Sequence, residues 1–207
     1  SARHSAPLSL VGGWHPALGV VDPEAFPRDP ERPLVLIIFY RSYLTAHDLD
    51  PFAALTAALE RRGFMALSIF APSLKSPEAR DRIDRWVRGL APAAIVNATA
   101  FSARGESGDT PLDGAGVPVF QLALATASRA GWADTSRGLS PADLAMHVVL
   151  PEIDGRIFAG VASFKEAGER DPDLGFARTI HRADANRIEA IAAKVAGWIA
   201  LARKPAA

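Results

Sequence analysis

The 207-residue sequence has no cysteine, which excludes disulfides and thiolate metal sites and makes a reducing, cytoplasmic setting the expectation. No apolar run approaches the ~20 residues that a membrane-spanning helix needs. The opening Ser-Ala-Arg-His-Ser-Ala-Pro also lacks the apolar stretch of an export signal, so neither membrane nor secretion is expected. Charge of one sign is not in excess: 23 basic residues face 23 acidic ones. A nucleic-acid partner is therefore not expected, because phosphate binding shows as a basic surplus or stripe. The phosphate loop Gly-x-x-x-x-Gly-Lys-Ser/Thr is missing, and no Gly-x-Gly-x-x-Gly follows the first predicted strand. Gly-x-Ser-x-Gly and His-Glu-x-x-His are missing too, which leaves nucleotide hydrolysis and the familiar hydrolase arrangements unsupported.

What is present is a chain about half apolar and long enough for one sizeable core. Residues 1–32 carry five prolines and few periodic apolar positions, and read as an extended lead-in docking by Leu8, Leu10, Trp14 and Phe26. Residues 33–207 read as a single α/β domain of a larger polypeptide. The run 33–40 is apolar throughout, as in a strand covered on both faces. A helix follows from Asp50, with Phe52, Leu55 and Leu59 on one stripe and Gly63 as its stop. Strands are predicted at 64–70, 93–98, 117–124 and 156–164. Between them, a helix starting at Ser76-Pro77 has Ile83, Trp86, Val87 and Leu90 on one face. A final helix begins at Asp184 and buries Ile188, Ile191, Val195 and Trp198. Strands alternating with helices give the fold class: α/β, a doubly wound and mainly parallel sheet with helices on both faces, flavodoxin-like or Rossmann-like. The loop 102–116 is long for such a domain and fits a lid.

In open parallel sheets, ligands bind beyond the carboxyl ends of the strands. Arg41 and Ser42 follow the first predicted strand, Asn97 and Thr99 the third, and Lys165 the fifth, so these five residues are the candidate substrate-binding set. Arg41 and Lys165 suit carboxylates, while Ser42, Asn97 and Thr99 suit amides. The plain alternative for Asn97 and Thr99 is that they satisfy backbone groups at a strand end.

The densest chemistry lies at 139–156. Ser140 is placed to cap a short helix with Pro141 at its first position, and Leu139 and Leu144 staple it. Asp143 and His147 fall one turn apart, so the carboxylate is expected to orient the imidazole and raise its pKa. Pro151 is expected to end the helix, leaving Glu152 and Asp154 on an irregular segment that closes at Gly155. Glu152 and His147 are the candidate catalytic and metal-binding pair. Ordinary capping and turn chemistry is the alternative reading of the same residues. His4, His15, His47 and His181 read as surface or capping histidines.

Several segments in register resemble one family: Phe39-Tyr-Arg-Ser42, Asn97-Ala-Thr-Ala-Phe101, Pro118-Val-Phe-Gln121, Met146-His-Val-Val-Leu-Pro-Glu152 with its Asp154-Gly155, and Ser163-Phe-Lys165. They are similar to the CobN and magnesium chelatase large-subunit family, more so to its cobalt branch. The resemblance implies a domain of the tetrapyrrole-binding subunit of an ATP-dependent chelatase. Cobalt would be the inserted metal and the corrin hydrogenobyrinic acid a,c-diamide its acceptor. Separate AAA+ and integrin-like subunits would handle ATP, in accord with the missing phosphate loop. It also implies that Glu152 handles metal or protons. Family members are several times longer, so the chain would work only with the remaining domains of its subunit. Three alternatives remain: a scaffold domain of the same subunit, a magnesium-branch subunit binding porphyrin, and an independent small-ligand-binding module.

Overall fold

Residues 33–40 form a strand whose alternate side chains serve two different cores, the consequence of a period of two in an apolar run. In the computed structural model, which describes residues 8–105, 108–133, 139–170 and 177–202, this strand spans Leu34–Tyr40. Val35, Ile37 and Phe39 pack on one face, and Leu34, Leu36 and Ile38 on the other.

The chain runs β1 (Gly12–His15), β2 (Gly19–Val21), β3 (Leu34–Tyr40), α1 (Arg41–Thr45), α2 (Asp50–Arg61), β4 (Met65–Ala71), α3 (Pro77–Leu90) and β5 (Ala94–Asn97). It continues through β6 (Val119–Leu124), α4 (Arg129–Ala133), α5 (Pro141–Leu144), a π-helical turn (Ala145–Val149), α6 (Leu150–Ile153), β7 (Ile157–Arg170), β8 (Ala177–Ala183) and α7 (Ala185–Ala202). The eight strands lie in the order β2-β1-β4-β3-β5-β6-β7-β8. From β4 to β7 they are parallel, while β1, β2 and β8 are antiparallel additions at the two edges. Helices α2 and α7 cover one face and α3 the other, so the sheet is doubly wound, as the alternation predicts. On the α2 side Phe39 stacks on Phe52 with ring centroids 4.4 Å apart. Trp198, expected inside, is 44% exposed and stands in a T-shaped arrangement with Phe120. No helix of the described residues is long and apolar enough to cross a membrane.

Three features differ from the sequence expectations. The lead-in is not merely extended: it supplies β1 and β2, and β1 pairs with β4. Two glycines allow this close approach. A Cβ on Gly13 would lie 2.9 Å from the Val21 carbonyl oxygen, so Gly13→Ala should destabilise the chain by about 1–3 kcal/mol, seen as a lower urea midpoint. The loop after β5 is tied down rather than lid-like where it is described. Arg80 donates to the carbonyls of Ala103 and Asp109, and Leu112 is fully buried against the α3 side. Finally, Pro151 does not end the helix. Leu150 donates its N–H to Ala145, five residues back, and helical geometry continues through Pro151 to Ile153. A wide turn takes the ladder out of the α register just where proline has no N–H to give.

Candidate functional site

The carboxyl ends of β3, β5 and β6, with the turn that leads into β7, carry two buried polar clusters. The first begins at Asn97, the last residue of β5. Its side-chain amide donates to Gln121 Oε1 at 2.9 Å and to the Thr99 carbonyl, and its Oδ1 accepts from the Thr99 hydroxyl at 2.9 Å. Gln121 Oε1 also accepts from Arg156 at 2.9 Å, and Arg156 donates onward to Asp154 Oδ2 at 2.9 Å. Asp154, its carboxylate wholly shielded from solvent, accepts from the Ser102 hydroxyl and the Ala103 N–H, and pairs with Arg104 at 3.4 Å. This is a connected network with its charges paired, the arrangement that makes buried polarity tolerable and rigid. Next to it, Tyr40 donates its hydroxyl to the Ala100 carbonyl, and burial raises its pKa. Phe101 follows with φ 66°, a left-handed conformation that costs a bulky residue about 1–3 kcal/mol, yet the residue is 48% exposed.

The second cluster surrounds the short helix. Ser140 caps it as expected, its Oγ accepting from the Asp143 N–H at 3.1 Å. Asp143 is buried, and its Oδ2 accepts from the Thr126 hydroxyl at 2.7 Å, while Oδ1 has no partner. His147 is also buried, with Nδ1 unpartnered. No hydrogen bond joins the two side chains: Asp143 sits on α5, and His147 on the π turn that follows it. The His147 pKa is lowered, not raised: burial outweighs the attraction of Asp143, and His181 pushes the same way as burial. His181 is not a surface residue. Its Nδ1 lies 2.7 Å from Asp48 Oδ2, its N–H donates to Asp48 Oδ1, and the Tyr43 ring stands edge-on at 5.7 Å. Burial first, then Asp48, pushes the Tyr43 hydroxyl to about 12.

The structure thus brings Asn97 and Thr99 together with Gln121, Arg156 and Asp154, and His147 together with Asp143 and His181. The other candidates stand apart. Arg41 donates to the Ser9 and Leu8 carbonyls, so its guanidinium holds the lead-in. Ser42 is exposed at the start of α1. Lys165 borders a shallow hollow with Ser128 and Arg129. Glu152 is exposed on α6, beyond the π turn, and forms no ion pair among the described residues. Among the described residues, no three His, Asp or Glu side chains gather there as a preformed metal site would require. Of the other histidines, His15 is buried and pairs with Glu60 at 3.0 Å, His47 is exposed, and His4 lies outside the described residues. Sequence reasoning missed Arg156, Asp48 and Thr126. The signal for Arg156 was an arginine opening an otherwise apolar strand, two residues from the acidic Asp154.

The chain is similar in sequence and in fold to known proteins. The family model described as CobN/Magnesium Chelatase matches residues 9–207. The chain is 36% identical over 178 residues to the aerobic cobaltochelatase subunit CobN of a Sinorhizobium species, covering 80% of this chain and 14% of the relative. It is 33% identical over 206 residues to the protein of that name from Pseudomonas aeruginosa, covering 98% and 16%. It is 29% identical over 187 residues to the chloroplastic magnesium-chelatase subunit ChlH of Oryza sativa, covering 86% and 13%. The catalytic subunit of cobaltochelatase from Mycobacterium tuberculosis superposes with a TM-score of 0.68 at 25% identity, over 89% of this chain and 15% of that one. The chain spans about one-sixth or less of the length of these relatives. With the family model covering nearly all of it and two CobN relatives above 30% identity, the chain belongs to the CobN/magnesium chelatase family.

Proposed function

We propose that this domain forms one wall of the macrocycle site in the large subunit of a cytoplasmic cobaltochelatase, which inserts cobalt into hydrogenobyrinic acid a,c-diamide. ATP is hydrolysed by AAA+ and integrin-like partner subunits, and the domain is inactive without the rest of its subunit. The higher identity to CobN relatives than to ChlH favours cobalt over magnesium. The observation that carries the mechanism is His147: an imidazole kept neutral by burial, with an unpartnered ring nitrogen, next to a buried carboxylate at the carboxyl rim of the sheet.

Insertion must remove two protons from ring nitrogens and strip water from a divalent cation. A neutral imidazole near pH 7 is in the right state to accept one of those protons, and Asp143 steadies the imidazolium that results. Glu152, exposed and without an ion pair among the described residues, is the group suited to meet the arriving cation and take the place of its water. Asn97, Thr99, Gln121 and Arg156 spend their hydrogen bonds on one another and keep this rim rigid.

In the assembled chelatase, Glu152→Gln should raise the cobalt concentration for half-maximal insertion about tenfold, the worth of one charge-assisted contact. The visible-absorbance titration of the metal-free corrin should stay as in the parent. A second reading, a scaffold domain, draws on the internal saturation of Asn97, Thr99 and Arg41. Unchanged insertion kinetics in Glu152→Gln and in a His147 variant would decide for it.

A further inference from the structure

We infer that the hollow at the point where the strand order reverses, between β3 and β5, holds a peripheral carboxylate of a flat macrocycle whose face rests on Phe101. The inference builds on the tetrapyrrole reading above and names the part of the ligand that this domain recognises. The hollow has a volume of about 130 Å³ and is lined by Tyr40, the segment 73–75 and the segment 99–103. With liquid water taking ~30 Å³ per molecule, it has room for roughly four, the bulk of a carboxylated arm and far less than that of a ring system. Reversal points of this kind are where open parallel sheets take their ligands.

The groups around the hollow select for an anion. Lys75 is the only charged residue lining it among the described residues. Ser73 Oγ accepts the Lys75 N–H at 3.1 Å and keeps its own hydroxyl proton for a ligand. The acidic neighbour does not compete: Asp154 is shielded from solvent and matched by Arg156 and Arg104. The Ser102 hydroxyl is committed to Asp154 and the Tyr40 hydroxyl to the Ala100 carbonyl, so these form wall and not contacts. Among the described residues this leaves the exposed Lys75 ammonium and the Ser73 hydroxyl as the uncommitted polar groups of the lining, a pair that suits a carboxylate.

Phe101 completes the site. Its N–H is fastened to the Met146 carbonyl at 3.0 Å in a backbone conformation that bulky residues rarely adopt, and the residue lines the hollow while about half exposed. Strain kept in order to expose an aromatic face points to a ligand with a face of its own. Because Met146 belongs to the π turn that carries His147, a macrocycle resting on Phe101 lies against the same segment as the proton acceptor.

The test uses the full-length large subunit and two probes, hydrogenobyrinic acid a,c-diamide and its form esterified at the remaining carboxyls, each titrated by visible absorbance. The parent should bind the acid at least tenfold tighter than the ester. Lys75→Met should remove that preference by weakening the acid about tenfold while leaving the ester unchanged. Phe101→Gly, which relaxes the left-handed backbone, should weaken both probes about tenfold without lowering the melting temperature. Equal binding of acid and ester by the parent, or parental affinities in both variants, overturns the inference and leaves the corrin reading standing. A parent subunit that binds neither probe overturns both.

Discussion

Replacing His147 with glutamine in the assembled chelatase should lower the insertion rate constant by about 10²–10⁴, the usual worth of a positioned proton acceptor, with corrin affinity unchanged. The split matters, because a residue that only shaped the pocket would move binding and rate together. The pH profile gives the finer test. Burial holds the His147 pKa below 6.5, so the neutral, accepting form persists below that pH and the rate falls only on further acidification. Asp143→Asn removes the one influence that raises this pKa and should shift the acid limb to still lower pH. His147→Gln should abolish that limb. The same depression couples to stability. Between the folded pKa and 6.5 the unfolded chain binds the proton that the folded chain refuses. Stability from this site is therefore whole above pH 6.5 and declines as the pH falls through that window. Urea unfolding at pH 5.5 and pH 7.5 reads the slope, which His147→Gln should flatten.

Asp154→Ala should produce the largest loss of stability, about 3–5 kcal/mol, because it leaves Arg156 buried without its counter-charge. The Ser102 hydroxyl and the Ala103 N–H lose their acceptor in the same stroke. For a chain of this size the melting temperature should fall by roughly 6–20 °C, measurable by calorimetry. Charge can be separated from packing by adding Arg156→Met, since an apolar side chain of similar length removes the stranded cation. The double variant should recover most of the loss. If it melts no higher than Asp154→Ala alone, the pair contributes through shape and the electrostatic account is wrong.

The parallel core was legible because its strands are apolar on both faces and its helices carry single stripes, two signals that depend only on local spacing. The run at 33–40 and the stripe Phe52, Leu55, Leu59 led straight to β3 and α2. The edges were not legible. β1 and β2 are short, rich in glycine and flanked by proline, and β8 is an edge strand with Arg182 and Thr179 turned to water. Such segments become strands only because a neighbour supplies the hydrogen bonds. The site divided in the same way. The cap at Ser140 and the proximity of Asp143 and His147 follow from helical spacing, but the direction of the His147 shift depends on how much protein covers the ring. His181 looked like a surface histidine because the partner that accounts for it, Asp48, lies 133 positions away in the chain. Arg41 looked available for a carboxylate because nothing in the sequence says that the carbonyls of Leu8 and Ser9 cross its path.

The wide turn at Ala145–Val149 works as a vernier between two parts that must be aligned independently. Upstream, Asp143 is pinned by Thr126; downstream, Asp154 is pinned by Arg156. Each residue of an α-helix advances the azimuth by about 100°, and an i→i+5 turn takes up one more residue per turn than the α ladder, so the segment holds an extra position while the helix on either side keeps its phase. The chain can therefore carry His147 on this turn without disturbing either anchor.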